Sequence, residues 1–436
     1  MKTALLIDDD AISRSVVALL LPGGEWQVLE AEDGEKGLEL AAQHRPELIV
    51  CDLMMPRHNG FYVCRGIRSD PARYSTPKII VTTGSAYAVD KQSALTAGAD
   101  AVLVKPVKQA EFLAAIEQPR VASHPPSPGS NRKEAATYAP IPGNYVKFWG
   151  VRGSLPVPGP STIGHGGNTS CVEVRADGEL IVLDAGTGIR NLGLALLGEF
   201  KTPIKFTLLI THTHWDHIQG FPFFPAAYRP ENSIRILSFE STSKDLLSIL
   251  SHQMESPYFP ITMGTMPGNL QVEELRDLTF KIGSIEVRAM FCNHPGVCAA
   301  YRLNTSKGSV VYMPDNELLG PQKAGANDPE ARQFAGKKDA EFVEFARGCN
   351  VLIIDSQYDR AEYGRFVGWG HSCWEDDVQL AIAAGVKRLV LFHHDPSHDD
   401  ARLEAKAAGA RKLAGASGSS LVVECAKEGA SISFAP

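Results

Sequence analysis

Short apolar runs recur along the first part of the chain, at Thr3–Ile7, Gln27–Ala31, Glu47–Cys51, Lys78–Thr82 and Ala101–Val104. Between them apolar residues return at helical spacing, as in Gly34–His44 with Leu38, Leu40, Ala41 and Ala42. Apolar runs of this length between polar breaks read as buried strands. Their alternation with helices predicts a parallel, doubly wound α/β sheet over residues 1–118. The pattern then breaks at Val121-Ala-Ser-His-Pro-Pro-Ser-Pro-Gly-Ser-Asn-Arg, which has no apolar period. Such a stretch has no face to bury, so residues 119–143 read as a flexible tether, stiffened in places by proline. A second domain follows over 144–436, strand-rich at first and mixed afterwards, without internal repeats.

Composition changes this picture little. The 436 residues are 44% hydrophobic and 21% charged, the balance of a globular protein with real cores. That excludes disordered, collagenous and low-complexity classes. A net charge of -7 gives no global basic field to recruit nucleic acid. The eight cysteines are dispersed, form no C-x-x-C pair and mostly sit in apolar runs, which suits a reducing compartment. The opening Met1–Ile7 is too short for a signal peptide, and no run approaches the roughly 18 apolar residues that span a bilayer. The expectation is a cytoplasmic protein with no membrane partner.

The first domain keeps its chemistry at strand ends. Asp8 and Asp9 follow the first predicted strand, Asp52 the third, Thr83 the fourth and Lys105 the fifth. In a doubly wound sheet ligands bind beyond those ends, near the switch in strand order. Three converging carboxylates need a divalent cation, and oxygen ligands favour Mg²⁺. Together with a hydroxyl and an ammonium they suit the formation of an acyl phosphate. Asp10 reads instead as the N-cap of a helix from Ala11.

Ile7-Asp8-Asp9, Cys51-Asp52-Leu53-Met54-Met55-Pro56, Gly60, Thr83-Gly84 and Lys105-Pro106 resemble the marks of response-regulator receiver domains, whose fold is flavodoxin-like. The resemblance implies that Asp52 accepts phosphate from a cognate histidine kinase. It implies that Asp8, Asp9, Asp52 and the Met54 carbonyl hold Mg²⁺, and that Thr83 and Lys105 engage the phosphoryl oxygens. Val102 departs from the family, which usually carries an aromatic switch residue there.

In the second domain the apolar run Phe206–Ile210 leads into Thr211-His212-Thr213-His214-Trp215-Asp216-His217. His212 and His214, two apart on extended backbone, can address one metal; Asp216 and His217, past the turn, can address a second. A surface histidine cluster is the plainer alternative, but the apolar flanks speak against it. The same grammar recurs where Val287–Cys292 leads to His294, Ser309–Met313 to Asp315, and Lys387–Phe392 to His393, His394 and Asp395.

His-x-His-x-Asp-His with these downstream marks resembles the metallo-β-lactamase family, a four-layer αβ/βα sandwich. The resemblance implies one site of His212, His214 and His294, another of Asp216, His217 and His393, and Asp315 bridging them. It places Asp184 as a buried aspartate behind the ligands. The expected cofactors are two transition-metal ions, Zn²⁺ or Mn²⁺, serving hydrolysis.

Gly368-Trp-Gly-His371-Ser372-Cys373, preceded by Ile353-Ile-Asp355-Ser-Gln-Tyr358, resembles the phosphodiesterase branch, which includes the tRNA 3′-end endonuclease and cyclic-phosphate phosphodiesterases. It implies catalytic roles for His371, Asp355 and Asp216. Aromatic stretches at Phe221–Tyr228 and Ser256–Ile261 are expected either to wall a pocket for a small ligand or to be ordinary core or oligomer contact. The expected function is a response regulator whose output is a phosphodiesterase acting on a small, cyclic nucleotide-like phosphodiester. The alternatives are an RNA-directed nuclease, a thioester or lactone hydrolase, and a non-catalytic scaffold. A second copy of the chain, as in a homodimer, stays open as a partner.

Overall fold

The computed structural model describes residues 2–55, 59–84, 91, 94–95, 97–117, 138–239, 246–255, 258–260, 263, 266–320 and 329–433, the side chains of Ser69 and residues 329–335 excepted. Pro56, most of the tether expected at 119–143, and Ser256, Pro257 and Ile261 lie outside the described residues. The chain divides into two compact units, Met1–Glu134 with two short later segments, and Ala135–Phe239, Asp245–Leu275 and Thr279–Pro436.

In the first unit β1 (Lys2–Ile7), β2 (Trp26–Ala31), β3 (Leu48–Asp52), β4 (Lys78–Thr83) and β5 (Ala101–Val104) form one parallel sheet in the order β2-β1-β3-β4-β5. Every residue of β3 and β4 is buried, as a strand covered on both faces requires. The helices start where polar caps permit. Asp10 accepts from Ile12 N ahead of Ala11–Leu20, Asp33 from Lys36 N ahead of Gly34–His44, and Asn59 from Tyr62 N ahead of Gly60–Ser69. The strand order reverses between β1 and β3, which opens a crevice at their carboxyl ends.

The second unit holds two seven-stranded sheets. One comprises β6 (Tyr145–Gly150), β7 (Cys171–Ala176), β8 (Glu179–Leu183), β9 (Lys205–Leu209), β10 (Ser233–Phe239), β11 (Asn269–Leu275) and the C-terminal Ser431–Ser433. The other comprises β12 (Thr279–Ile282), β13 (Ile285–Phe291), β14 (Ala299–Thr305), β15 (Gly308–Met313), β16 (Val351–Asp355), β17 (Arg388–Phe392) and β18 (Val422–Cys425). Helix Ile189–Glu199 packs outside the first sheet through Ile189, Leu192 and Leu196. Helices Pro329–Ala346, Trp374–Ala383 and Asp400–Ala416 pack outside the second through Phe342, Val378, Leu403 and Ala407. The inner faces meet through aromatic residues: Phe148 lies 6.2 Å from Phe392 and Phe239 lies 5.2 Å from Phe291, while Tyr312 packs on Phe392 within the second sheet at 5.7 Å. Each such ring withdrawn from water contributes roughly 1.5–3 kcal/mol. The result is the expected four-layer αβ/βα sandwich.

Among the described residues no helix is long and apolar enough to cross a membrane. All eight cysteines are buried, and none forms a disulfide. Phe221 and Phe224 settle one open question: both are fully buried in the core of the first sheet, Phe224 against Phe206, and only Phe223 of that stretch is largely exposed.

Candidate functional site

In the first unit Asp8 follows β1 and Asp52 closes β3; both are buried, whereas Asp9 is exposed. Lys105, just past β5, spans the two buried acids, with Nζ 2.6 Å from Asp52 Oδ1 and 2.8 Å from Asp8 Oδ2. Met54 N donates to Asp52 Oδ2 at 2.9 Å. Thr83, also buried, ends β4 one residue after Thr82, the register partner of Asp52. Burial lifts the Asp52 carboxyl to about 6, although Lys105 pulls it down. Burial also works against the charge of Lys105, but Asp52 and Asp8 outweigh it and hold the ammonium above its ordinary range.

In the second unit β9 delivers extended backbone through His214, and a single helical turn, Trp215–Ile218, carries Asp216 and His217. Loops after β13, β15 and β17 bring His294, Asp315 and His393. Besides Asp355 with His371 and His393, and Asp359 with Glu362 and His398, metal-competent atoms gather in two groups, each within 4.8 Å: His212, His214, His294 and Asp315; and Asp216, His217, His393 and Asp315. Asp315 belongs to both. Its Oδ1 lies 3.1 Å from His217 Nε2 and 3.4 Å from His393 Nε2. Its Oδ2 lies 3.7 Å from His212 Nε2 and 3.6 Å from His294 Nε2. His214 presents Nδ1, 3.0 Å from His294 Nε2, and Asp216 Oδ2 lies 3.1 Å from His393 Nε2.

The far nitrogens of these rings decide what the near ones can do. His217 Nδ1 donates to Asp184 Oδ2 at 2.8 Å, His294 Nδ1 to the Gly370 carbonyl at 3.0 Å, and His393 Nδ1 to Gln357 Oε1 at 3.1 Å. His212 Nδ1 lies 3.1 Å from Thr211 Oγ1, whose own proton goes to Asp184. With Nδ1 protonated, Nε2 of each neutral ring holds a lone pair; at His217 burial disfavours the charge, but Asp315, Asp216 and Asp184 outweigh it and raise the ring well above its ordinary range. Lone pairs and carboxylates facing one another repel unless a cation lies among them. Correspondingly, His212 Nε2 and Asp315 Oδ1 are buried without a hydrogen-bond partner. Burial holds His212 and His294 well below the usual histidine range, in the neutral form that ligates. Five imidazoles and two carboxylates without thiolate fit divalent Zn, Mn or Fe.

His371 stands beside both groups. Its ring stacks on His393 at 4.9 Å and meets His294 edge-on at 5.2 Å. Its Nδ1 lies 2.7 Å from Oδ2 of the fully buried Asp355, which is held in turn by Asn316 N and Gln357 N. Burial disfavours a charge on His371, but Asp355 prevails and raises it to about 9.

Asp184, behind the cluster, accepts from Thr211 N, Thr211 Oγ1, His217 Nδ1 and the Tyr312 hydroxyl. Asp184 and His393 both take left-handed backbone, φ 62° and 55°. For residues other than glycine this costs about 1–3 kcal/mol each, strain the surrounding bonds must hold.

Several contributors carry no sequence signal of their own. Ser154 N donates to Asp216 Oδ2 at 2.8 Å, so the glycine-rich turn at Gly153-Ser154 touches the site. A Cβ on Gly153 would sit 2.5 Å from His393, which explains the glycine. Gln357, Thr211 and Tyr312 orient ligands from beyond the strand ends. His394 and His398 are both fully buried, His394 against the Ala426 carbonyl and His398 beside Glu362.

Residues 4–117 match the response regulator receiver domain, and residues 180–394 match the beta-lactamase superfamily domain. RpaA of Synechocystis, a DNA-binding dual master transcriptional regulator, is 37% identical over 116 residues, 27% of this chain and 48% of that protein. AfsQ1 of Streptomyces coelicolor, a transcriptional regulatory protein, is 41% identical over 108 residues, 25% of this chain and 46% of its own length. The chain thus spans about half the length of these curated relatives. The metallo-beta-lactamase fold protein YhfI from Bacillus subtilis covers 66% of this chain and 98% of its own, with 16% identity and a TM-score of 0.46.

Proposed function

We propose that this chain, a response-regulator receiver domain joined to a beta-lactamase-superfamily domain, is a response regulator whose output is a dinuclear-metal phosphodiesterase. Its domains run over 1–118 and 144–436 around the tether at 119–143. The substrate is a small, cyclic nucleotide-like phosphodiester. The observation that carries this reading is His371, pinned by Asp355 at 2.7 Å beside both groups of metal-competent side chains.

By accepting at Nδ1, Asp355 leaves Nε2 of His371 as the atom that hands a proton to the departing oxygen. A thioester or lactone hydrolase has no need of that residue. His212, His214 and His294 with Asp315, and Asp216, His217 and His393 with Asp315, would hold two divalent ions, Zn²⁺ or Mn²⁺. When bound, such ions polarise a phosphoryl oxygen and acidify a water. Asp216, fixed by Ser154 N, keeps its carboxylate turned toward His393.

In the receiver, Asp52 takes phosphate from a phosphodonor such as a histidine kinase, with Asp8, Asp9 and the Met54 carbonyl suited to Mg²⁺. Thr83 and Lys105 then engage the phosphoryl oxygens. The added charge re-forms the face built on β4 and β5 and so controls the hydrolase.

The deciding experiment offers the metal-loaded chain bis-p-nitrophenyl phosphate, cyclic nucleotides, short RNA and a thioester. Phosphodiesters should be cleaved, and His371→Ala should lower that rate about 10²–10⁴-fold while metal content holds. Cleavage of the thioester alone, or undiminished phosphodiester turnover by the variant, would overturn the reading.

A further inference from the structure

Glu317 lies two residues beyond Asp315 and is 1% exposed. Its carboxylate gathers three donors from one loop. Gly368 N approaches Oε1 and Oε2 at 3.0 and 3.1 Å, Gly370 N reaches Oε2 at 2.9 Å, and the Tyr363 hydroxyl donates to Oε1. Burial, with Glu317 beside it, pushes the Tyr363 hydroxyl well above its ordinary range, so it stays a donor. The backbone of Glu317 holds a second loop: its N–H donates to the Asn293 carbonyl at 2.9 Å, and its carbonyl accepts from Asn293 Nδ2 at 2.8 Å.

These bonds surround two side chains of the proposed centre. The Gly370 carbonyl is the partner of His294 Nδ1, and His371 is the next residue. Gly370 has φ +87°, and a Cβ there would sit 2.4 Å from His294 Nδ1, so bare backbone packs on that imidazole. Gly364, Gly368 and Gly370 leave the loop many conformations to choose from. A buried carboxylate selects one, because it accepts at both oxygens and presents no donor. A glutamine would turn an NH₂ toward an N–H or an O–H.

The geometry points to Glu317 as a positioning residue. By gathering Tyr363, Gly368 and Gly370 it sets the Gly370 carbonyl against His294 and aims His371 at Asp355, so that a metal-competent side chain and the proton donor move as one piece. The inference rests on the phosphodiesterase reading and deepens it.

The test uses the full chain loaded with Zn²⁺ or Mn²⁺, with bis-p-nitrophenyl phosphate as the substrate. Glu317→Gln should lower kcat about 10–100-fold, the usual cost of losing a partner behind a ligand, with KM within about threefold. In a His371→Ala background the same substitution should cost clearly less than in the wild type, because one of the two groups it acts through is gone. Imidazole ¹⁵N spectra, read independently of turnover, should show His294 and His371 shifted and His165 unmoved. Glu317→Asp keeps both acceptors and Tyr363→Phe removes one donor; each should give an intermediate loss, and they stand in if Glu317→Gln does not fold. Equal losses in both backgrounds, or unmoved His294 and His371 resonances, would overturn the positioning role. A wild type that cleaves no phosphodiester would instead overturn the functional reading, and the spectra alone would then decide the role of Glu317.

Discussion

The receiver pocket and the histidine-aspartate cluster of the second unit both place buried carboxylates at the ends of strands, yet they balance charge in opposite ways. In the receiver the counter-charge belongs to the chain: Lys105 Nζ lies 2.6 Å from Asp52 and 2.8 Å from Asp8. In the second unit Asp216 and Asp315 face imidazole nitrogens, and among the described residues neither is paired with lysine or arginine. An internal cation lets a pocket stand ready for a ligand that comes and goes. A shell of lone pairs calls for a resident one. Under the proposed function, the contrast separates a site suited to transient phosphate from one suited to permanent ions.

The hardest blow to this contrast falls on Asp315. Asp315→Ala should release both ions and take hydrolysis to background, as chelation of the wild type should; metal analysis beside turnover reads both. Retained hydrolysis by metal-free protein would erase the distinction. Next comes Asp184→Asn, which disturbs the acceptor of four donors, His217 among them, without replacing a metal-competent residue of the two groups. It should weaken metal binding about 10–100-fold in competition with a chromophoric chelator. On the receiver side burial lifts the Asp52 carboxyl to about 6, and in the proposed reaction only the carboxylate form would attack a phosphodonor. The ionised fraction grows as pH rises, so labelling by acetyl phosphate at pH 5 should run at about one tenth of its rate at pH 7.5. A flat profile would show that Lys105 sets the ionisation of Asp52 more strongly than burial does. The smallest effect joins the two sites: acetyl phosphate with Mg²⁺ should change wild-type turnover or oligomeric state a few-fold. Asp52→Asn should abolish that response with its metal content intact, and a response that survives in the variant would show that phosphate acts elsewhere.

Much of this is legible in the sequence because burial writes itself as apolar runs. β3 and β4 are covered on both faces, so their letters are almost continuously apolar and their ends stand out. His212, Asp315 and His393 are readable for the same reason, each lying just past such a run. What does not show acts through backbone or across sheets. Ser154 contributes an N–H that every residue but proline has, and the Tyr312 hydroxyl meets Asp184 from 128 positions away. Glu317 looks like any acid in a loop until Gly368 and Gly370 are seen pointing at it. Phe221 and Phe224 mislead in the other direction, since a short aromatic cluster lacks the period that would tell core from pocket wall.

The burial of every cysteine has a practical consequence. No native thiol is offered at the surface, so a single introduced cysteine would be the sole target of a maleimide dye. Glu39→Cys on the receiver and Glu344→Cys on the hydrolase replace side chains that are 63% and 69% exposed. Labelled one at a time, they would let fluorescence follow each unit separately while the other is phosphorylated or loaded with metal.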